Sequence, residues 1–457
     1  MFLAKYLTEY DDRLTGESYI DPLGMLIIWT SFGQKIFNNR VNSISNDVRN
    51  YTLNLFNHFL VRRIIQDEKV VMSKRLSSVY GNKDSLLFKQ ACLLHLENIF
   101  VFSVLEYENE GVDSTGVLGI ANGRRRWNES QKKPTLVFSH EQQGQILVRQ
   151  LGLGVSGRYK TPLLEIGYFD RNYNYHLPNA ETLWQEAEQF FFASPLQPLA
   201  DLFQQHIKKL LHQDSKKPEI NFSDLNQELR KTYAKVFSSS EAVGKHARNF
   251  WLKATGLDQG AAGALLKVLD NNLEGAQTED LTPQRLMAES DRAGLSDYDL
   301  LNMAHIEQLE PFLADVTLLF TLMTHKKSQL LKDVIEKWDS FERNKKALPN
   351  HAKMLKKNLA LLNVVKGTAR ARLDALLELA DAPSLRDQVE LLVEYHGQVM
   401  SERNQAPWLR LDGDQIKLQA RPMSEPCKLE WPLGAWYHSY YLPQFQRLVR
   451  GYQGGMG

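Results

Sequence analysis

The chain has 457 residues, 43% of them apolar and 24% charged, with 55 Lys and Arg against 54 Asp and Glu. That length and apolar content support a deep core and two or three domains, which excludes a broadly disordered chain. The net charge of +1 excludes a wholly basic, histone-like protein and a wholly acidic mimic, but leaves room for a local basic face.

The opening MFLAKYLTEYDD turns acidic before any apolar run develops, so no signal peptide is expected. Leu23 to Phe37 reads as a buried helix started near Asp21-Pro22, and Tyr51 to Ile65 carries Leu53, Phe56, Leu60 and Ile64 at helical spacing. Asp84 to Tyr107 is a third apolar segment, and residues 1–107 are expected to form a helical bundle. Cys92 and Cys427 are too few for a disulfide framework or a thiolate zinc site, and fit a reducing compartment. No stretch approaches the roughly 18 consecutive apolar residues of a membrane span. A cytoplasmic protein with no membrane partner is the expectation.

Residues 108–177 change texture. Gly111, Gly116, Gly119 and Gly123 mark turns and close backbone approach, without the order of a phosphate-binding loop. Between 121 and 160 stand eight basic residues, Arg124, Arg125, Arg126, Lys132, Lys133, Arg149, Arg158 and Lys160, against Glu129 and Glu141. Such local bias marks a phosphate-facing surface. Ser139 with Gln142 has capping-box spacing, which predicts a helix from Ser139. That helix would run into Gly154-Val155-Ser156, from which a second would start.

The run QILVRQLGLGVSGRYKTPLLEIG resembles the turn of helix-turn-helix DNA-binding domains. Glycine allows the sharp turn, valine plugs the inter-helix angle and serine caps the second helix. The resemblance covers about 25 residues of the chain. It implies a small basic module, possible in winged-helix form, with Arg158, Tyr159 and Lys160 near the start of the groove-entering helix. Two positions depart from the pattern: Gln150 stands where a small residue is expected, and Pro162 falls in the second helix. The nucleic-acid-binding set expected is Arg124, Arg125, Arg126, Trp127, Lys132, Lys133, Arg158, Tyr159 and Lys160, with Trp127 packing or stacking beside the arginines.

From Pro178 the chain reads as a helical array, residues 178–407. Its expected elements are Asn179–Ser194, Leu196–Leu211, Phe222–Phe237, Ala242–Leu257, Ala262–Asn271, an opening at Thr282-Pro283, and Ser296–Thr324 kinked or divided by Pro311. Lys326–Ala347 and Ala352–Leu379 are charged, heptad-like stretches that predict a long antiparallel hairpin joined near Pro349-Asn350. Six cations (Lys353, Lys356, Lys357, Lys366, Arg370 and Arg372) lie on its second arm. An exposed hairpin of this kind predicts contact with a second copy or another subunit, against the simpler account that it lies flat on the array. A last helix runs from Pro383 to about Glu402.

Residues 408–457 begin with WLRLDGDQIKLQAR, a hairpin signal around Asp412-Gly413-Asp414. An aromatic tail of Trp431, Trp436, Tyr437, Tyr440, Tyr441 and Phe445 follows, expected to dock onto the body. The fold class is thus mainly α: a helical bundle plus a helical array, with a small helix-turn-helix-like module and a C-terminal β hairpin.

Catalytic patterns are missing. His140-Glu141 lacks the second histidine of a zinc helix, and Gly154-Val155-Ser156-Gly157 lacks the closing glycine of a nucleophile elbow. Asp412, Asp414 and Lys417 could serve a metal-dependent nuclease, but an Asp-Gly turn explains them more simply. His58 in its apolar helix reads as a core histidine. The Tyr168 to His176 aromatics read as packing at a junction, with base stacking as the alternative. No catalytic residue, metal or cofactor is expected. These features predict a non-catalytic subunit that binds nucleic acid, DNA or RNA, and partner proteins of the same complex or self. A chromosome- or antiviral-defence complex is a natural setting for such a helical accessory subunit. The alternatives are a pure interaction scaffold and a divergent metal-dependent nuclease.

Overall fold

A computed structural model describes residues 21–153, 160–274 and 281–454. The chain forms two units, each assembled from separated segments: Met1–Phe37 with Gly260–Leu442, and Asn38–Gln259 with Pro443–Gly457. The boundaries read from composition near 107 and 177 both fall inside the second unit, and the one near 407 falls inside the first.

The first unit is built on the helix Asp297–Thr324. Ser296 caps it by accepting from the Asp299 amide, and the helix continues through Pro311 undivided. Leu309, Phe312, Leu313, Val316, Leu319 and Phe320 are buried along it. The helix Leu26–Ile36 starts where Asp21 accepts the Met25 and Leu26 amides at 2.9 Å each. Its Gly33 meets the Tyr440 carbonyl so closely that an added Cβ would lie 2.4 Å away.

The expected long hairpin does not form. After Thr324, Gln329 donates to the Leu322 and Met323 carbonyls at 2.8 and 3.0 Å, satisfying the helix end and turning the chain away. The stretch then breaks into Leu331–Ser340, Ala347–Lys357, Leu359–Leu362 and Gly367–Ala380. Positive φ at Glu342 and the Asn358 cap on the Leu361 amide set two of the breaks. Pro349 lies in the first turn of Ala347–Lys357, where its missing N–H costs nothing, so the expected loop is helix. Leu348, Ala352 and Leu355 bury one stripe, as the flat-lying account requires.

The C-terminal hairpin is present: Leu409–Asp412 pairs antiparallel with Gln415–Leu418, Leu411 opposite Ile416, around Gly413 at φ +58°. Ser328–Leu330 adds a third antiparallel strand against Gln415–Leu418.

The second unit centres on Val48–Gln66 and Leu86–Tyr107, both buried around most of their circumference. Two polar residues of the first, Thr52 and Asn57, are met by side chains of surrounding helices, while both amide atoms of the buried Asn54 lack a partner among the described residues. Trp251 Nε1 donates to Thr52 Oγ1 and Tyr233 OH to Asn57 Oδ1, each at 2.8 Å. Leu86–Glu110 is long and apolar enough to cross a membrane, and 89% of its apolar window is buried inside the protein. The helices Ala180–Phe192, Gln197–Leu211, Gln227–Val236 and Ser240–Thr255 follow the expected order. Thr135–Val137 pairs antiparallel with Glu219–Asn221. The aromatic tail ends in a helix, Leu442–Gln453, that the aromatic content alone did not announce.

No helix starts at Ser139. Its hydroxyl accepts from the Glu141 amide, two residues on, and so closes a turn. Only a 3-10 turn at Gln142–Gly144 and the four-residue helix Gln150–Leu153 form before residue 154. The peptide groups between are taken by side chains: Asn98 Nδ2 donates to the Gly144 carbonyl at 2.7 Å, and the Ile146 amide donates to Gln150 Oε1 at 2.7 Å. Gln150, which broke the sequence pattern, is buried and donates to Glu97 and Asn98 at 2.8 and 3.1 Å. The Gly154-Val155-Ser156 turn, Arg158 and Tyr159 lie outside the described residues.

Candidate nucleic-acid interface

The basic window is carried by the amphipathic helix Ile120–Glu129. Gly119, at φ +82°, starts it. Gly123 and Trp127, one turn apart, face inward. A Cβ on Gly123 would meet Val101 Cγ1 at 2.5 Å, so the glycine permits close approach to Leu86–Tyr107. Trp127 stacks against Phe102 at 6.2 Å between centroids and meets Phe222 edge-on at 5.6 Å. It is therefore core: of the two expected roles, packing and stacking on bases, the structure shows packing.

The expected cations separate by what they touch. Arg124 is committed to a bidentate pair with Glu108, at 2.5 and 2.8 Å. Arg124 and the Ser114 hydroxyl hold the Glu108 carboxyl down to about 2. Arg125 is exposed and lies 3.9 Å from Glu129, a loose surface pair of little energetic weight. Arg126 is half-buried, and burial with the neighbouring Arg125 lowers its guanidinium pKa. Desolvated and next to a like charge, it would gain from an incoming anion. Lys132 and Lys133 follow the helix end and are exposed, with no ion pair among the described residues. Positive φ at Gln131 and Lys132 turns this segment away from the helix axis. Lys160 is tied elsewhere: its ammonium donates to the Arg171 carbonyl and sits 4.3 Å over the Tyr173 ring. Pro162 is the third residue of Lys160–Ile166, within its first turn.

The aromatic cluster after Tyr168 is interior. Tyr168, Phe169, Tyr173 and Tyr175 are buried, the last accepting or donating at 2.9 Å to His58 Nδ1. Burial pushes the His58 imidazole down to about 3. At the hairpin, Lys417 pairs with Asp412 at 2.6 Å and Arg386 with Asp414 at 2.7 Å. Among the described residues no group of three His, Cys, Asp or Glu is placed to hold a metal ion.

Sequence reasoning missed a buried histidine pair. His95 and His206 face each other with their Nε2 atoms 2.9 Å apart and rings nearly parallel. One ring must donate and the other accept, so at most one of the two can be protonated while the contact holds. Burial lowers both pKa values, that of His206 to about 4. Because the folded value lies below the ordinary 6.5, this contribution is complete above pH 6.5 and disappears as pH falls toward 4. Between pH 7 and 4.5 protonation of His206 alone is expected to cost the second unit on the order of 2–3 kcal/mol, and His95 acts in the same direction. Urea midpoints at each pH measure it; His206→Gln should flatten that dependence, and an unaltered slope would remove the pair as its cause.

No protein-family model matches the sequence, no curated protein matches it, and no solved structure matches the fold.

Proposed function

We propose that the protein is a non-catalytic subunit that binds nucleic acid through its second unit and assembles with partner proteins. One observation carries the reading. The outward face of Ile120–Glu129 and the turn after it present Arg125, Lys132 and Lys133 without strong internal partners, beside the desolvated Arg126. Weakly paired cations on a helix and the turn after it suit phosphate contacts, which dominate affinity for nucleic acid and need no base-specific geometry. The segment resembling a recognition turn belongs to the same reading as a secondary contact, through Arg158.

Arg125→Glu/Lys132→Glu/Lys133→Glu should abolish binding to a fluorescein-labelled duplex in anisotropy titrations. For wild type the affinity should be micromolar or weaker, and fall steeply with salt, the slope reporting about three phosphate contacts on this face. Arg124→Gln breaks an internal pair instead, and should leave affinity nearly unchanged. Arg158→Glu should weaken binding less than the triple variant. Wild-type failure to bind single- or double-stranded DNA or RNA at low salt would leave the interaction scaffold as the better reading.

A further inference from the structure

The first unit carries a second surface, of different chemistry. Between Glu342 and Asp374 the sequence has nine Lys and Arg and no acid. Lys356, Arg370 and Arg372 are paired with Asp381, Asp374 and Glu402, and Arg343 is buried against Asp315. Lys345, Lys346, Lys353, Lys357 and Lys366 remain exposed, with no ion pair among the described residues. On Ala347–Lys357 the inward stripe is Leu348, Ala352 and Leu355, and the outward stripe is Lys346, Asn350, Lys353, Met354 and Lys357. Lys353 and Lys357 thus stand one turn apart, about 6 Å along the axis. Two large exposed apolar side chains fall between these lysines in the sequence, Met354 on the same helix at 56% exposure and Leu359 at the start of the next at 69%.

We propose that this face docks an acidic amphipathic helix of a partner protein. Its carboxylates would meet Lys346, Lys353, Lys357 and Lys366, and its apolar side chains would cover Met354 and Leu359. The charge pattern selects an acidic partner, since five exposed lysines with no ion pair among the described residues attract anions and reject basic surfaces. The apolar pair selects among anions. Phosphate backbones make polar contacts and leave Met354 and Leu359 in water, so they gain nothing from them. Anchoring to an anionic bilayer needs a broad apolar row for insertion, and the apolar row of this helix is already spent on the core. A helix with acids on one side and leucines on the other uses both features, in the helix-on-surface mode of peptide recognition.

The full-length protein is titrated with a synthetic helical peptide bearing Glu on one face and Leu on the other. A peptide of the same composition in scrambled order, vesicles of phosphatidylserine in phosphatidylcholine, and duplex DNA are titrated in parallel. The amphipathic peptide should bind with micromolar affinity, at least about tenfold more tightly than the scrambled one. Lys346→Glu/Lys353→Glu/Lys357→Glu should cost at least about tenfold, and Met354→Ser/Leu359→Ser a comparable factor. All these positions are exposed, so circular dichroism should be unchanged. Equal affinity for both peptides, no loss in either variant, or binding of vesicles or DNA but not peptide to this face would overturn the proposal. The outcome is independent of Arg125, Lys132 and Lys133, which neither variant alters.

Discussion

Glu310→Ala is expected to destabilise the first unit by about 3–5 kcal/mol, the range for removing one partner of a buried charged network. The Glu310 side chain is 1% exposed. It accepts from the Tyr437 amide at 2.5 Å, the His438 amide at 2.9 Å, His438 Nδ1 at 3.1 Å and Tyr440 OH at 2.6 Å. Alanine would leave the buried donors of His438 and Tyr440 unsatisfied, each carrying a desolvation cost. The donors also hold an unusual backbone, since Tyr440 and Tyr441 have φ of 48° and 64°. Non-glycine residues keep such angles only where surrounding contacts impose them. Hydrogen exchange should therefore show early opening of residues 437–441 in the variant, and urea unfolding a lower midpoint. Glu310→Gln, which keeps an acceptor, should lose less. Native-like protection of the tail in Glu310→Ala would show that the carboxylate does not hold it.

The other large effect lies in the second unit. A Cβ on Gly244 would stand 1.8 Å from the Gly451 carbonyl oxygen and 2.8 Å from its carbon. Ser240–Thr255 and the C-terminal helix therefore cross with backbone nearly touching backbone. A backbone carbonyl cannot rotate aside as a side chain can, so Gly244→Ala must push the C-terminal helix outward. The expected cost is about 1–3 kcal/mol from overpacking, with Gly244→Val costing more. Thermal unfolding should show the graded series Gly, Ala, Val. Equal melting temperatures for all three would mean that the crossing is loose in solution. Gly256→Ala is the comparison: its neighbourhood is open, and only its φ of +67° opposes the change.

The sequence was most informative where short-range chemistry decides structure. Ser296, Thr282 and Ser384 start helices by capping amides three residues on; Ser296 and Thr282-Pro283 are legible as starts, and Pro383 marks the third. Asp412-Gly413 likewise announces its hairpin. Ser139 carries the same kind of signal and yields a turn, because Asn98 and Gln150 compete for the nearby peptide groups from positions the local sequence does not reveal. The charge-rich stretch after Thr324 looked like two long arms because its apolar stripes repeat. The breaks come from Gln329, Glu342 and Asn358, which act through tertiary or backbone geometry. In the basic window, composition could not separate Arg124 and Trp127 from Arg125, Lys132 and Lys133. The inward pairing of Gly123 with Trp127 at helical spacing was a usable clue to Trp127. Glu310 had a signal too, as an acid between Leu309, Pro311 and Phe312 in an otherwise apolar run. The His95–His206 pair had none, since its partners are brought together only by the fold.

The discontinuous make-up of the two units bears on how the protein is synthesised. Residues 260–442 separate the body of the second unit from the helix that crosses Gly244. While the ribosome works through that interval, the groove awaiting Gly451 stays uncovered and its apolar lining is available to other nascent chains. The first unit has the mirror-image problem, because Leu26–Ile36 is made early and must wait for residues 297–324 and 440. Such long waits favour slow, post-translational closure and a demand for chaperones. Expressing residues 38–259 alone should accordingly give aggregates, and supplying residues 443–457 on a flexible linker should rescue solubility.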